Sequence, residues 1–166
     1  GRWRVTPVQR GEVVESTSDS IGIGRYGGQS AAYAARRPRD RVIQRFNVPG
    51  VPETDMGWST NPAGMHTVLN ELKGLGKPVY ITENGLANPD WVALDGRVHD
   101  PQRIDFTARY LQAFGRAAQD GVDARGYFHW SLMDNFEWAE GYHQRFGLVH
   151  VNFATQARAM KESGEW

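Results

Sequence analysis

Pro78-Val79-Tyr80-Ile81-Thr82-Glu83-Asn84-Gly85 is a short apolar run, rich in β-branched residues, that ends on an acid, an amide and a glycine. Such a run suits a buried strand, and it delivers Glu83 at the strand's C-terminal end. Upstream, Asn61 and Pro62 take the N-cap and N1 roles of a helix carrying Met65, Val68, Leu69 and Leu72, closed by Gly74 and Gly76. Downstream, Asp100 and Pro101 open a second helix on which Ile104, Ala108, Leu111 and Gly115 share one face, and Gly121 ends it. Tyr127 to Leu132 forms the next strand, and Phe146 to Val151 a further extended segment. Helix, strand, helix, strand implies parallel strands joined by crossovers, an α/β construction whose ligands gather beyond the C-terminal strand ends. Glu83 and the stretch from Asp134 to Trp138 fall there together.

The rest of the chain is less regular. From about Gly11 to Glu53 it is rich in Gly, Ser, Arg and Pro with no sustained period, which predicts a long irregular connection. The expected division is therefore 1–53, an aberrant strand remnant with a long loop, and 54–166, the regular βα units. Charge divides the same way: 9 basic against 5 acidic residues over 1–53, 10 against 14 over 54–166, and none in excess over the whole. Arg36, Arg37, Arg39, Arg41 and Arg45 could serve a phosphate-binding patch, but they lie among glycines and alanines without stacking aromatics or a helix register. A solvated surface loop is the better reading, and no nucleic-acid partner is expected.

Composition excludes several classes. No run approaches the roughly 20 apolar residues that span a bilayer, so no membrane association is expected. Without cysteine there are neither disulfides nor thiolate metal sites, and no signal-like segment stands at Gly1. A cytoplasmic location is the expectation. His66, His99, His129, His143 and His150 show no metal-ligand spacing, and no metal or cofactor is expected.

Taken singly, Glu83 reads as a surface carboxylate, Trp130 and Trp138 as packing aromatics, and Glu137 as a loop acid paired with Arg145. Taken together, Val79 to Gly85 and Tyr127-Phe128-His129-Trp130-Ser131-Leu132-Met133-Asp134-Asn135-Phe136-Glu137-Trp138 closely resemble the signatures of glycoside hydrolase family 1. Thr54 to Trp58, Asp100 to Ile104 and Gly141 to Val149 extend the resemblance, which covers roughly Thr54 to Ser163 in the family's order. It implies the C-terminal part of a (β/α)8 TIM barrel, about strands six to eight, since 166 residues fall short of the ~250 of a closed barrel.

The resemblance also implies an activity: retaining hydrolysis of terminal β-D-glucosides through a covalent glycosyl-enzyme on Glu83. Trp130 would underlie the sugar ring. Glu137 would accept hydrogen bonds from the 4- and 6-hydroxyls, and the Trp138 indole would donate to the 3-hydroxyl. Trp58 would stand on the aglycone side, and Phe146 would close the wall near the 6-position. A carboxylate at Glu137 would repel a 6-phosphate, so unphosphorylated glucosides are favoured, with galactosides and fucosides as side substrates.

Two departures qualify the activity. The family's acid/base motif, T-x-N-E-P, does not occur in these residues, and the sixth strand, placed at Gly1 to Pro7, shows Trp3 and Val5 where the family has asparagine and tyrosine. The chain is thus expected to act beside a partner, either an N-terminal half-barrel chain or another copy of itself. The alternative is a catalytically inert sugar-binding or assembly fragment.

Overall fold

The computed structural model describes residues 50–166 and, before them, the backbone of four strands: β1 (Glu12–Ser16), β2 (Ile21–Arg25), β3 (Ser30–Ala34) and β4 (Val42–Phe46). They are followed by α1 (Pro62–Leu72), β5 (Val79–Asn84), α2 (Pro101–Gln119), β6 (Ala124–His129), β7 (Val149–Val151), β8 (Arg158–Met160) and α3 (Glu162–Glu165). One sheet has the order β1-β2-β5-β6, with β2, β5 and β6 mutually parallel and β1 antiparallel to β2. β3 with β4, and β7 with β8, form antiparallel pairs. No helix among the described residues is long and apolar enough to cross a membrane.

The helix starts follow local chemistry. Asn61 accepts a hydrogen bond from the Gly64 amide at 2.9 Å, and Pro62 fills N1, where an amide proton would have no partner. Met65, Leu69 and Leu72 of α1 then pack with Val79 and Ile81 of β5 and with Phe106, Tyr110 and Ala117 of α2. Burying each large side chain of this set stabilises the fold by roughly 1.5–3 kcal/mol. The Tyr110 hydroxyl also accepts from the Asn61 amide at 3.0 Å, tying the start of α1 to the middle of α2.

Three expectations are corrected. The stretch 11–53 is not one irregular connection but holds β1 to β4, and the strand beside β5 is Ile21–Arg25. Its Ile-Gly-Ile-Gly alternation has period two, but glycines on one face conceal a strand from a hydrophobicity reading. The strand expected at Gly1 to Pro7 lies outside the described residues. Second, α2 buries Arg103, Phe106, Tyr110, Ala113 and Ala117, not the face through Ile104, Ala108, Leu111 and Gly115. Two aromatic rings offer more apolar area than the aliphatic set, and Arg103 goes inside with its counter-charges. Third, β6 begins three residues early at Ala124: Gly126 leaves room for the Tyr80 ring, which a Cβ there would meet at 2.6 Å.

Candidate functional site

Glu83 is the penultimate residue of β5, and Trp130 follows the last residue of β6. The ladder sets Asn84 opposite His129 and, on the other side, Glu83 opposite Gly24 of β2. Asn84 is fully buried and fastens the two strand ends together. Its carbonyl accepts from the Trp130 amide at 3.0 Å and its side-chain oxygen from the Tyr127 hydroxyl at 2.6 Å. Burial raises the Tyr127 phenol, which keeps that donor protonated. Gly85 comes so close to the Trp130 carbonyl that a Cβ would stand 1.7 Å from its oxygen. Gly85→Ala therefore forces two backbones apart. A loss of at least about 1–3 kcal/mol is expected, visible as a lower urea midpoint; an unchanged midpoint would show that the contact is not needed.

Past β6 the chain turns tightly. The Glu137 amide donates to the Gly141 carbonyl at 2.6 Å, and Trp138 adopts a positive φ of 43° with 81% of its surface exposed. Glu137 is half-buried, and burial pushes its carboxyl above the usual range. The nearby Trp130 N–H favours the ionised form, while the charges of Glu83 and Glu140 oppose it. Glu83 and Glu137 thus act on one another across one site.

Among the described residues neither Trp130 Nε1 nor Glu137 Oε2 closes a well-formed hydrogen bond, though both atoms are buried and the indole N–H lies near enough to favour the carboxylate. Among these residues the same holds for Gln144 Oε1 and for the His129 ring, which the Phe146 backbone approaches without closing a well-formed hydrogen bond. Each such atom costs about 1–3 kcal/mol unless something satisfies it. Donors and acceptors left open beside an indole and two carboxylates suit a ligand dense in hydroxyls. Gln144 and His129 were not singled out in the sequence, where nothing in their spacing marks them.

Trp58 and Phe146 meet with ring centroids 6.3 Å apart. Phe146 is only 2% exposed, so the two form a supported aromatic pair rather than two separate walls. The Thr54–Trp58 turn is held to the loop after β5 by the Asp55 amide, which donates to the Ala87 carbonyl at 3.0 Å. Arg145 pairs with Asp134 at 2.6 Å, which leaves the alternative pairing with Glu137 unrealised. A cavity of about 540 Å³ near the starts of α1 and α2, lined by Pro62, Leu86, Pro101 and Phe106, contains none of the candidate residues.

Behind the site lies an ionic frame that sequence reasoning missed. Arg103 and Lys161 are both 0% exposed. Arg103 donates to Asp100, to Asp90 at 2.6 Å and to the Arg145 carbonyl at 2.8 Å. Asp100 in turn accepts from the Ser163 amide at 2.8 Å and hydroxyl at 2.6 Å. Burial alone would raise Asp90, but Arg103 and then Lys161 overcome it and hold that carboxyl below its ordinary range.

Residues 8–166 match the family model described as glycosyl hydrolase family 1. Among curated relatives, the 1,4-beta-D-glucan glucohydrolase of Thermotoga neapolitana is 44% identical over 158 residues, 93% of this chain and 35% of that protein. The 6-phospho-beta-galactosidase of Clostridium acetobutylicum is 42% identical over 128 residues, 75% of this chain and 27% of that one. The solved family 1 b-glucosidase of Thermotoga maritima, in complex with isofagomine lactam, superposes with a TM-score of 0.83 at 43% identity, covering 89% of this chain and 33% of that one. The chain spans about a third of the length of such relatives.

Proposed function

From the chain's membership of glycosyl hydrolase family 1, we propose that it forms the part of a retaining β-glucosidase that carries the nucleophile and grips the sugar. The observation that carries this reading is the placement of Glu83, near the end of β5, beside Trp130 and Glu137, whose buried Nε1 and Oε2 close no well-formed hydrogen bond among the described residues. Glu83 attacks the anomeric carbon, and the glycosyl-enzyme is then hydrolysed with net retention. Trp130 lies under the ring, Glu137 accepts from the 4- and 6-hydroxyls, and Trp138 donates to the 3-hydroxyl. Trp58, backed by Phe146, stands toward the aglycone. The second carboxyl group, which retention requires, comes from another part of the barrel. Among the described residues β6 is an edge strand with Phe128 exposed at 58%, which supports packing against the rest of the barrel. The cysteine-free composition fits work in the cytoplasm.

Relatives of similar identity include an enzyme named for a 6-phosphorylated sugar. Glu137 argues against that substrate class here, because its carboxylate would face the phosphate. The test uses 2,4-dinitrophenyl β-D-glucoside, whose leaving group departs without protonation, beside its 6-phosphate. Dinitrophenolate release from the neutral glucoside, reduced on the order of a thousandfold or more in Glu83→Gln, is expected. Preference for the 6-phosphate, or release that survives Glu83→Gln, would contradict the reading. An inert sugar-binding fragment is the second reading; it predicts saturable glucoside binding with no release.

A further inference from the structure

We propose that Lys161 is a positioning residue for the sugar site: one buried ammonium that fixes the loop following Glu83 to the loop that carries Trp130 and Glu137. The inference rests on the reading of that site as a glycoside site.

Lys161 lies between β8 and α3, far from Glu83 in sequence, and is 0% exposed. Its Nζ donates to Asp90 Oδ2 at 2.5 Å and to Asp134 Oδ1 at 2.7 Å. Asp90 belongs to the loop that leaves β5 after Glu83, and Asp134 lies between Trp130 and Glu137. Among the described residues, Lys161 is the group that donates to a carboxylate from each of these loops.

The bridge is anchored at every corner. The Lys161 amide donates to the Leu148 carbonyl at 2.9 Å, and the backbone pairs with Val98, so the stem cannot swing. Asp134 accepts in addition from the amides of Gly147 at 3.0 Å and Val151 at 3.3 Å and from Arg145. Asp90 accepts from Asn88 at 2.9 Å and from Arg103. Gly147 has to be glycine for this arrangement, since a Cβ would stand 2.2 Å from the Asp134 amide. With Arg103 and Arg145 facing Asp90, Asp100 and Asp134, the frame is electrically balanced only when Lys161 carries its charge. Such a charge is hard to account for by stability alone, because a well-packed apolar group often serves as well. A rigid link between the nucleophile's loop and the sugar-gripping loop gives it a use, because small misplacements of reacting groups slow chemistry steeply.

Lys161→Met removes the bridge but leaves the buried frame with one negative charge in excess, so it is paired with the double variant Lys161→Met/Asp134→Asn, which restores charge balance without restoring the link. Two readouts apply: hydrogen exchange over 84–90 and 130–137 against 106–117 of α2, and Glu83 trapping by 2,4-dinitrophenyl 2-deoxy-2-fluoro-β-D-glucoside. In the balanced variant both loops should exchange faster while α2 keeps its protection. The maximal trapping rate should fall roughly ten- to a hundredfold, with less change in the half-saturating concentration. Wild-type exchange in either loop, or an unaltered trapping rate, overturns the positioning role. Failure of the wild-type chain to form any Glu83 adduct overturns the glycoside reading beneath it, whatever the exchange pattern.

Discussion

Replacing Arg103 with methionine should lower the free energy of unfolding by about 3–5 kcal/mol. Methionine fills much of the same volume, so the loss is electrostatic rather than a cavity effect. Without the guanidinium, Asp100 keeps only the neutral donors of Ser163, and Asp90 keeps Lys161 and Asn88. The Leu86 and Arg145 carbonyls, which Arg103 reaches at 3.3 and 2.8 Å, are left open as well. Arg103→Lys restores the charge but not the planar fork that reaches two carboxylates and two carbonyls, so it should recover only part of the loss. Arg103→Met/Asp100→Asn should be more stable than Arg103→Met alone, because the acid left without a cation is gone. Urea unfolding of the three variants beside the parent checks this. A single variant within 1 kcal/mol of the parent, on the order of a surface change, would show that the frame is not what holds α2 to the loops.

The second large effect is on pH. His129 is pushed down to about 4, first by burial and then by the Arg103 and Lys161 charges, with the Phe146 backbone and Asp100 offsetting part of it. An ordinary histidine titrates near 6.5, so between pH 6.5 and 4 the unfolded chain binds a proton that the folded chain refuses. Stability must fall as pH drops through that window, by up to about 3 kcal/mol from this residue. His150 is shifted in the same direction by burial and Arg145 and adds to the slope. Asp90, held below its ordinary 3.8, acts in the same direction at still lower pH, its stabilisation being lost as pH falls from there through its lowered value. Urea midpoints at pH 7 and pH 5 should therefore differ clearly in the parent and much less in His129→Leu. Equal pH dependence in the parent and in His129→Leu would contradict the lowered His129.

Much of this architecture could be read from local chemistry. Asn61 and Pro62 mark the start of α1 because capping is decided within one turn, and the apolar run to Glu83 marks β5 because its β-branched residues, Val79 and Ile81 among them, favour a strand and bury there. The pairing of Glu83 with the Trp130 segment was legible through motif spacing. What could not be read depends on partners distant in the chain. Lys161 and Asp90 lie 71 residues apart, and nothing local distinguishes a lysine that will be fully buried from one on the surface. The buried face of α2 was misjudged for the same reason: Arg103 turns inward only because Asp90, Asp100 and two carbonyls await it. Strand β2 escaped notice because both positions of one alternating set, Gly22 and Gly24, are glycine.

The most direct test of the account is intact-mass spectrometry with peptide mapping after incubation with 2,4-dinitrophenyl 2-deoxy-2-fluoro-β-D-glucoside. The account predicts a single fluoroglucosyl adduct, carried by Glu83 and absent from Glu83→Gln. No adduct, or an adduct on another carboxylate such as Glu137, would contradict the assignment of Glu83 as nucleophile.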